Sequence, residues 1–426
     1  MAEIRPFRAL RYRSDLDPAT VTCPPYDVLS AAERAALADR SPYAAVRVIL
    51  PEGDGDSRYA NAADLLREWG ATGVLRPDSE PGLYVTRTEF TEPGTTGLRL
   101  ARLGVVSLLR LHEYADRVVL PHERTLTGPK EDRLKMQRAT GANLESIFGL
   151  VDDPGGGLYA LLEAATHGQP LTDFTGDDQQ RHTLWQVREP QLIAEIGALV
   201  APQPVFIADG HHRYETAVAY AREAGALGTD RPEAFLLVTL SSLADPGLSV
   251  LPTHRLVRGV PPDVQHTLFT RLEPYFDLRL SDAEEVESRL RLAVENQPVF
   301  GLVLPSGDTY QMTARDASAL DGVLPPDLPP ALRHLEAVLL QSLVLEKALG
   351  IPAAEVAKTD RIAYTRDAEE ARRRVRNGEF EMAFLLGRPS VTAIRDVALA
   401  GEVMPQKSTF FYPKLLSGLL MRSLVA

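Results

Sequence analysis

In the stretch PVFIADGHHRYETAVAYAREA (204–224) an acid, a glycine, two imidazoles and a guanidinium follow one another as Asp209, Gly210, His211, His212 and Arg213. They stand where an apolar run gives way to a helical pattern. The first N–H groups of a helix have no partner within it, and together with the positive end of the dipole they favour an anion. Gly210 lets the backbone approach a ligand closely. Arg213 is able to grip two phosphate oxygens at once. Asp209 is a candidate to bind Mg²⁺ or to take a proton from a substrate hydroxyl, and His211 and His212 are candidates to hold phosphate oxygens beside it. A capped turn would use the same string differently: Asp209 would cap the helix, the histidines would lie at the surface, and Arg213 would pair with Glu215 or Glu223.

Three further clusters offer charge. In LPHERTLTGPKEDR, the residues His122, Glu123, Arg124, Thr125, Lys130 and Arg133, with Arg138 beyond, crowd around a Gly-Pro hinge. A substrate anion needs such cations, and a buried Glu123 would serve as a general base; a solvated, mixed-charge helix start has the same composition. MPQKSTFFYPKL brings Lys407, Ser408 and Thr409 together like the tail of a phosphate loop, but the glycines of that loop are missing. LPTHRLV places His254 and Arg255 after a strand-like run. A transition-metal site is disfavoured. Neighbouring histidines on a helix point about 100° apart, and neither HExxH nor a clear HxH occurs. The GxSxG elbow of a serine hydrolase is absent as well.

The elements that must position these residues follow from periodicity. Tyr214, Ala217, Val218 and Ala221 fall at i, i+3, i+4 and i+7, so DGHHR joins a strand (PVFIAD) to a helix. Pro129 suits the first turn of a helix over EDRLKMQRAT. Ser30 and Glu33 have capping-box spacing ahead of AAERAALADR. The stretch 43–50 reads as a strand, 59–73 as a helix, and 81–91 with 98–111 as a hairpin around PGTTG. Beyond Pro261 the pattern predicts one helix over VQHTLFTRLEPYF, a hairpin over 299–314 and a long helix over 332–350. Turns rich in Gly and Pro near 152–157 and 258–262 divide the chain into 1–152, carrying HERT, 153–258, carrying DGHHR, and 259–426.

Composition bounds the function. The chain has 426 residues, too many for one ordinary core. Lys+Arg 46 against Asp+Glu 58 gives a net charge of −12, which argues against nucleic acid as a partner. The single cysteine, Cys23, excludes an intramolecular disulfide and reads as a small buried residue. No window approaches eighteen uncharged apolar residues and the N-terminus has no signal-like core, so a cytoplasmic protein that does not enter membranes is expected.

IRPFRALRY, PPYDVLS, LPHERTLTGPKEDRL, ANLESIFGL, PVFIADGHHRYETA, LPTHRLV and GEVMPQKSTFFYPKLLSGL run in order from residue 4 to about residue 419. Together they resemble the bacterial and archaeal domain-of-unknown-function family 1015. Locally, DGHHR resembles the phosphate-holding joint of the ParB/sulfiredoxin-like superfamily. That likeness implies an α+β fold of mixed sheets with helices around a nucleotide- or phosphate-binding core. It makes Asp209 an acid near metal or substrate, and Gly210, His211, His212 and Arg213 the phosphate cradle. The sulfiredoxin version needs a cysteine that is absent here, and the partition version comes with a DNA reader. The free-serine-kinase version fits best. The expectation is phosphoryl transfer to a small hydroxylated metabolite, free serine first, with a nucleotide (ADP or ATP) and Mg²⁺ as cofactors. Asp209 or Glu123 would be the base. His122, Arg124, Lys130, His254, Arg255, Lys407 and Ser408 would be further anion contacts. A phosphatase acting on phosphoserine or a similar ester, and a non-enzymatic regulator that senses a nucleotide or an amino acid, are the alternatives; oligomeric state is left open.

Overall fold

The structure is a computed structural model that describes residues 1–95, 97–125, 127–292, 297–316, 320–356 and 359–425. It is mixed α+β and forms two compact units that do not follow chain order. Unit 1 comprises Met1–Pro121, Thr125–Ser249 and Pro413–Ala426, and unit 2 comprises His122–Arg124 and Val250–Tyr412.

Unit 1 is built on a nine-stranded mixed sheet. Its strands are β1 (Ile4–Arg5), β2 (Leu83–Thr91), β3 (Arg99–Arg110), β4 (Val119–Leu120), β5 (Ile147–Val151), β6 (Thr172–Thr175), β7 (Arg181–Val187), β8 (Val205–Asp209) and β9 (Phe235–Ser242). Their order is β4-β8-β5-β9-β3-β2-β7-β6, with β1 beside β3. β8 runs parallel to β4 and antiparallel to β5. The central strands β5 and β9 are buried along their whole length, as continuous apolar runs of this kind require. β2 and β3 are the predicted antiparallel pair, with Thr91 opposite Arg99; Thr96 of the expected turn lies outside the described residues.

Helices of unit 1 include α1 (Ala31–Arg40), α2 (Val46–Ile49), α3 (Ser57–Ala71), α4 (Thr127–Thr140), α5 (Gly157–Ala165), α6 (Pro190–Val200) and α7 (His211–Glu223). The capping box at Ser30 and Glu33 is present with both reciprocal bonds. The stretch 43–50 is not the expected strand but contains the short helix α2. Ala44, Ala45, Val46, Val48 and Ile49 are all buried, and a run buried on every side carries no period to tell strand from helix.

Unit 2 is built on a six-stranded, wholly antiparallel sheet. Its strands are β10 (His254–Val257), β11 (Phe276–Ser281), β12 (Val299–Val303), β13 (Thr309–Ala314), β14 (Ile362–Thr365) and β15 (Met382–Leu386), in the order β11-β13-β12-β15-β10-β14. β12 and β13 form the hairpin predicted for 299–314. The single helix expected after Pro261 is two short ones, Pro262–His266 and Leu268–Leu272. The long helix expected over 332–350 begins at Glu336, and from Leu340 to Ala348 its turns widen to the π type. Among the described residues no helix is long and apolar enough to cross a membrane.

Candidate functional site

β8 carries four buried apolar residues, Val205 to Ala208, and delivers Asp209 at its end. The pairing with β5 slips between Ile207 and Asp209, which sets Asp209 opposite Phe148. Gly210 is the N-cap of α7 with φ +93°, a conformation costly to any residue with a side chain. A Cβ there would lie 2.8 Å from Ile147 Cγ2 and 3.1 Å from the Arg213 guanidinium. Glycine is therefore required twice, by torsion and by space. The helix seats itself by burying Tyr214, Ala217, Val218 and Ala221, the predicted face.

Two cations clasp the Asp209 carboxylate. Arg213 Nη2 donates to Oδ2 at 3.0 Å, and Lys414 Nζ donates to Oδ1 at 2.6 Å. Arg213 Nη1 also donates to the Ser146 carbonyl at 2.7 Å. The side chains of Arg213, Asp209 and Lys414 are only 10%, 18% and 14% exposed. Burial alone would raise the Asp209 carboxyl above its ordinary 3.8. The charges of Lys414, Arg213 and His211 outweigh burial and hold the carboxyl well below that value. Burial likewise disfavours charge on Arg213, yet Glu145, Asp209 and Asp27 win and keep it firmly protonated. Glu145 is itself buried and accepts from Ser417 Oγ at 2.8 Å.

The capped-turn arrangement is not what forms. No side chain caps α7, Glu215 bonds Lys130, and Glu223 bonds Arg138. His211 is buried and His212 half-buried. An acid held this far below its usual range is a weak base. The metal expectation does not fit the geometry either: both Asp209 oxygens already face cations, and among the described residues no group of three His, Cys, Asp or Glu is placed to hold an ion.

The HERT motif divides between the units. Its second half lies in unit 1, where α4 packs along α7. Thr125 Oγ1 donates to Glu215, and Lys130 Nζ donates to Glu215 Oε2 at 2.8 Å. Arg133 donates to the Ile49 carbonyl at 2.8 Å and stacks 4.0 Å from the centre of the Tyr26 ring. Its first half lies in unit 2. His122 is fully buried, with Nε2 2.8 Å from Thr409 Oγ1, and its carbonyl accepts from Met404 N–H at 2.8 Å. Glu123 accepts from the Lys407 backbone N–H, while Arg124 is exposed.

The other predicted residues of unit 2 gather there too. Buried Arg255 donates to the Thr253 and Lys407 carbonyls. His254 Nδ1 accepts from Leu386 N–H at 3.2 Å; burial, then the neighbouring Arg255, bring the imidazole down to about 4. Ser408 Oγ donates to the Pro405 carbonyl at 2.6 Å, and Lys407 turns the chain at φ +57°.

Sequence reasoning passed over Lys414, Glu145, Tyr26 and Asp27. Each lies inside a segment already singled out, FFYPKL, ANLES or PPYD, so the signal was the motif rather than the residue type.

The family model described as "Protein of unknown function (DUF1015)" matches residues 4–338, and the chain belongs to that family, as the ordered motifs imply. None of the curated proteins matches it. Among solved structures, a free serine kinase variant in complex with AMP is 14% identical, with 72% of this chain and 87% of that chain covered and a TM-score of 0.36. A conserved hypothetical protein from Pyrococcus furiosus is 15% identical, covering 73% and 92%, with a TM-score of 0.36. SbnI with a C-terminal truncation, from Staphylococcus aureus, is 13% identical, covering 74% and 86%, with a TM-score of 0.36. Likenesses of that size carry no argument about this chain.

Proposed function

We propose that the chain is a phosphoryl-transfer enzyme acting on a small hydroxylated metabolite with a nucleotide, free serine being the first candidate, through a ParB/sulfiredoxin-like joint at residues 204–216. The observation that supports this best is the clasp at the end of β8, where Arg213 and Lys414 meet one carboxylate at the N-terminus of α7. Phosphoryl transfer asks little covalent chemistry of a protein; it asks for positioning and charge neutralisation. Arg213 has five N–H donors and spends two on Asp209 and Ser146. The rest, with Lys414 and the backbone N–H groups of the first turn of α7, suit phosphate oxygens. Asp209 then positions the two cations rather than accepting the proton, and Mg²⁺, if a nucleotide brings it, is not held by Asp209. Among the candidate bases, Glu123 is tested on its own by Glu123→Gln.

The test is nucleotide affinity and phosphoserine formation in wild type and in Arg213→Ala. Loss of one preorganised donor should cost roughly 100-fold or more in turnover. Unchanged affinity and turnover in Arg213→Ala would sink the assignment. Phosphate release from phosphoserine without nucleotide would make the enzyme a phosphatase, and nucleotide binding without any turnover would make it a sensor. Should Glu123→Gln leave the turnover number intact, Glu123 has no proton to move.

A further inference from the structure

A cavity of about 230 Å³ lies in unit 1 between α1 and the turn that joins β6 to β7, and the scheme above gives it no task. Glu33, Ala36, Leu37 and Arg40 of α1 line it. They fall at i, i+3, i+4 and i+7, one face of the helix. Asp177 and Asp178 come from the turn, and Cys23, Leu29 and Phe174 belong to a wall that is mostly apolar. Cys23 and Leu37 are buried, whereas Glu33, Asp177 and Asp178 are exposed, so the cavity has an apolar interior and an acidic rim.

Three carboxylates stand there against one guanidinium. The Glu33 carboxylate accepts from Ser30 in the capping box, and Asp177 pairs with Arg40 at 2.6 Å. Asp178 has no such cation: it accepts the Gln180 N–H at 3.1 Å and forms no ion pair among the described residues. Partial burial raises its carboxyl above the ordinary 3.8 against two backbone N–H donors, and the neighbouring Asp177 adds to the rise. A cation close by would reverse that shift.

The imidazole in the wall brings no positive charge. Arg102 on β3, Thr88 on β2 and His182 on β7 stand opposite one another in a row. His182 is 4% exposed; burial, then Arg102, bring it to about 4, so it is neutral near pH 7. Its Nδ1 lies 3.4 Å from Thr88 Oγ1, and among the described residues Nε2 meets no partner.

An acidic rim over an apolar interior selects a cation with an apolar body. Among the described residues no group of three His, Cys, Asp or Glu is placed to hold a metal ion, which leaves an organic one. An apolar cavity of roughly 150 Å³ takes a benzene ring, so this one has room for a ring and a short aminoalkyl arm.

We propose that this cavity binds a small primary amine with an apolar body, the ammonium at Asp178 and the body among Leu29, Leu37 and Phe174. The proposal is independent of the phosphoryl-transfer reading.

Calorimetric titration of the full chain with 2-phenylethylamine and 3-methylbutylamine tests it. 2-Phenylethanol, which has the body without the charge, and methylamine, which has the charge without the body, are the comparators. Both larger amines should bind, and each comparator should bind at least tenfold more weakly. Asp178→Asn keeps an acceptor for the Gln180 N–H but loses the charge, and should weaken the amines roughly tenfold. Arg40→Gln removes the cation at the rim and frees Asp177, and should tighten them by roughly threefold. A gain of affinity cannot come from a damaged fold, so this variant stands even if Asp178→Asn is unstable. Arg213→Ala should leave amine binding intact, which separates the cavity from the clasp. Failure of both amines to bind overturns the proposal. So does equal binding of 2-phenylethanol, an affinity unchanged in Asp178→Asn, or a loss of affinity in Arg40→Gln.

Discussion

The joint after β8 and the cluster around β10 use the same vocabulary of arginine, histidine and lysine, but they spend it differently. In unit 1, Arg213 and Lys414 are turned on a carboxylate, and of the arginine's five N–H donors one goes to Asp209 and one to the Ser146 carbonyl. In unit 2, Arg255, His254, His122 and Ser408 are engaged with two backbone carbonyls, a backbone N–H, a hydroxyl and another carbonyl. They staple irregular chain around Lys407 to a strand. A cation bound only to main chain is part of the scaffold, whereas Arg213 divides its donors between a carboxylate and one carbonyl.

The sharpest test of that contrast is to remove one charge from each region. Asp209→Asn removes the carboxylate that two enclosed cations share and should cost about 3 kcal/mol, read from urea unfolding. Arg255→Met strands two carbonyls and should cost about 2 kcal/mol. The contrast lies in function: Lys414→Met should weaken nucleotide binding, whereas Arg255→Met should leave it unchanged. Equal losses in both would erase the distinction.

Gly210→Ala probes the joint with a smaller change. The positive φ and the 2.8 Å approach to Ile147 should cost more than about 1 kcal/mol, beyond the usual gain from a stiffer unfolded chain. Stability near wild type would mean that the backbone relaxes there and that the close approach is not needed.

The smallest effects are the pH dependences. Because the folded chain keeps His254 neutral down to about 4 while the unfolded chain protonates it near 6.5, stability should fall as pH drops through that window. Glu336 runs the other way. Burial pushes its carboxyl up to about 7 from 4.5, against the opposing Gly387 N–H and Arg255, so its contribution is full below 4.5 and lost as pH rises through 7. Asp209, held below 3.8, contributes above that value and loses its contribution only as pH falls beneath it. Urea midpoints between pH 4 and pH 8 should therefore respond on the acid side to His254→Asn in unit 2 and to replacement of His182 in unit 1, whose imidazole burial likewise brings to about 4, and on the neutral side to Glu336→Gln. A neutral-side response that survives Glu336→Gln unchanged would contradict this assignment.

Much of unit 1 was legible because its signals are local. The strand, glycine and helix of 204–224 are dictated by the apolar run, the φ that only Gly210 takes cheaply, and a 3.6-residue period. The capping box at Ser30 needs only a spacing of three. What failed was local as well: every residue of 44–49 but Arg47 is buried, so the stretch shows no period. The clasp itself was half legible. Arg213 lies four residues from Asp209, a helical turn, but Lys414 lies 205 residues away.

By itself, then, the sequence determined the family, the α+β class and the joint at Asp209 and Gly210, because torsion preference, burial period and ordered motifs are written in neighbouring residues. Only the tertiary structure decided that Lys414 is the second cation, that HERT is split between two units, and that Arg102 and His182 stand in one row, with no partner among the described residues for Arg102 Nη1 or His182 Nε2. Those facts rest on sheet register and on chain returning from far along the sequence, and neither leaves a mark in local composition.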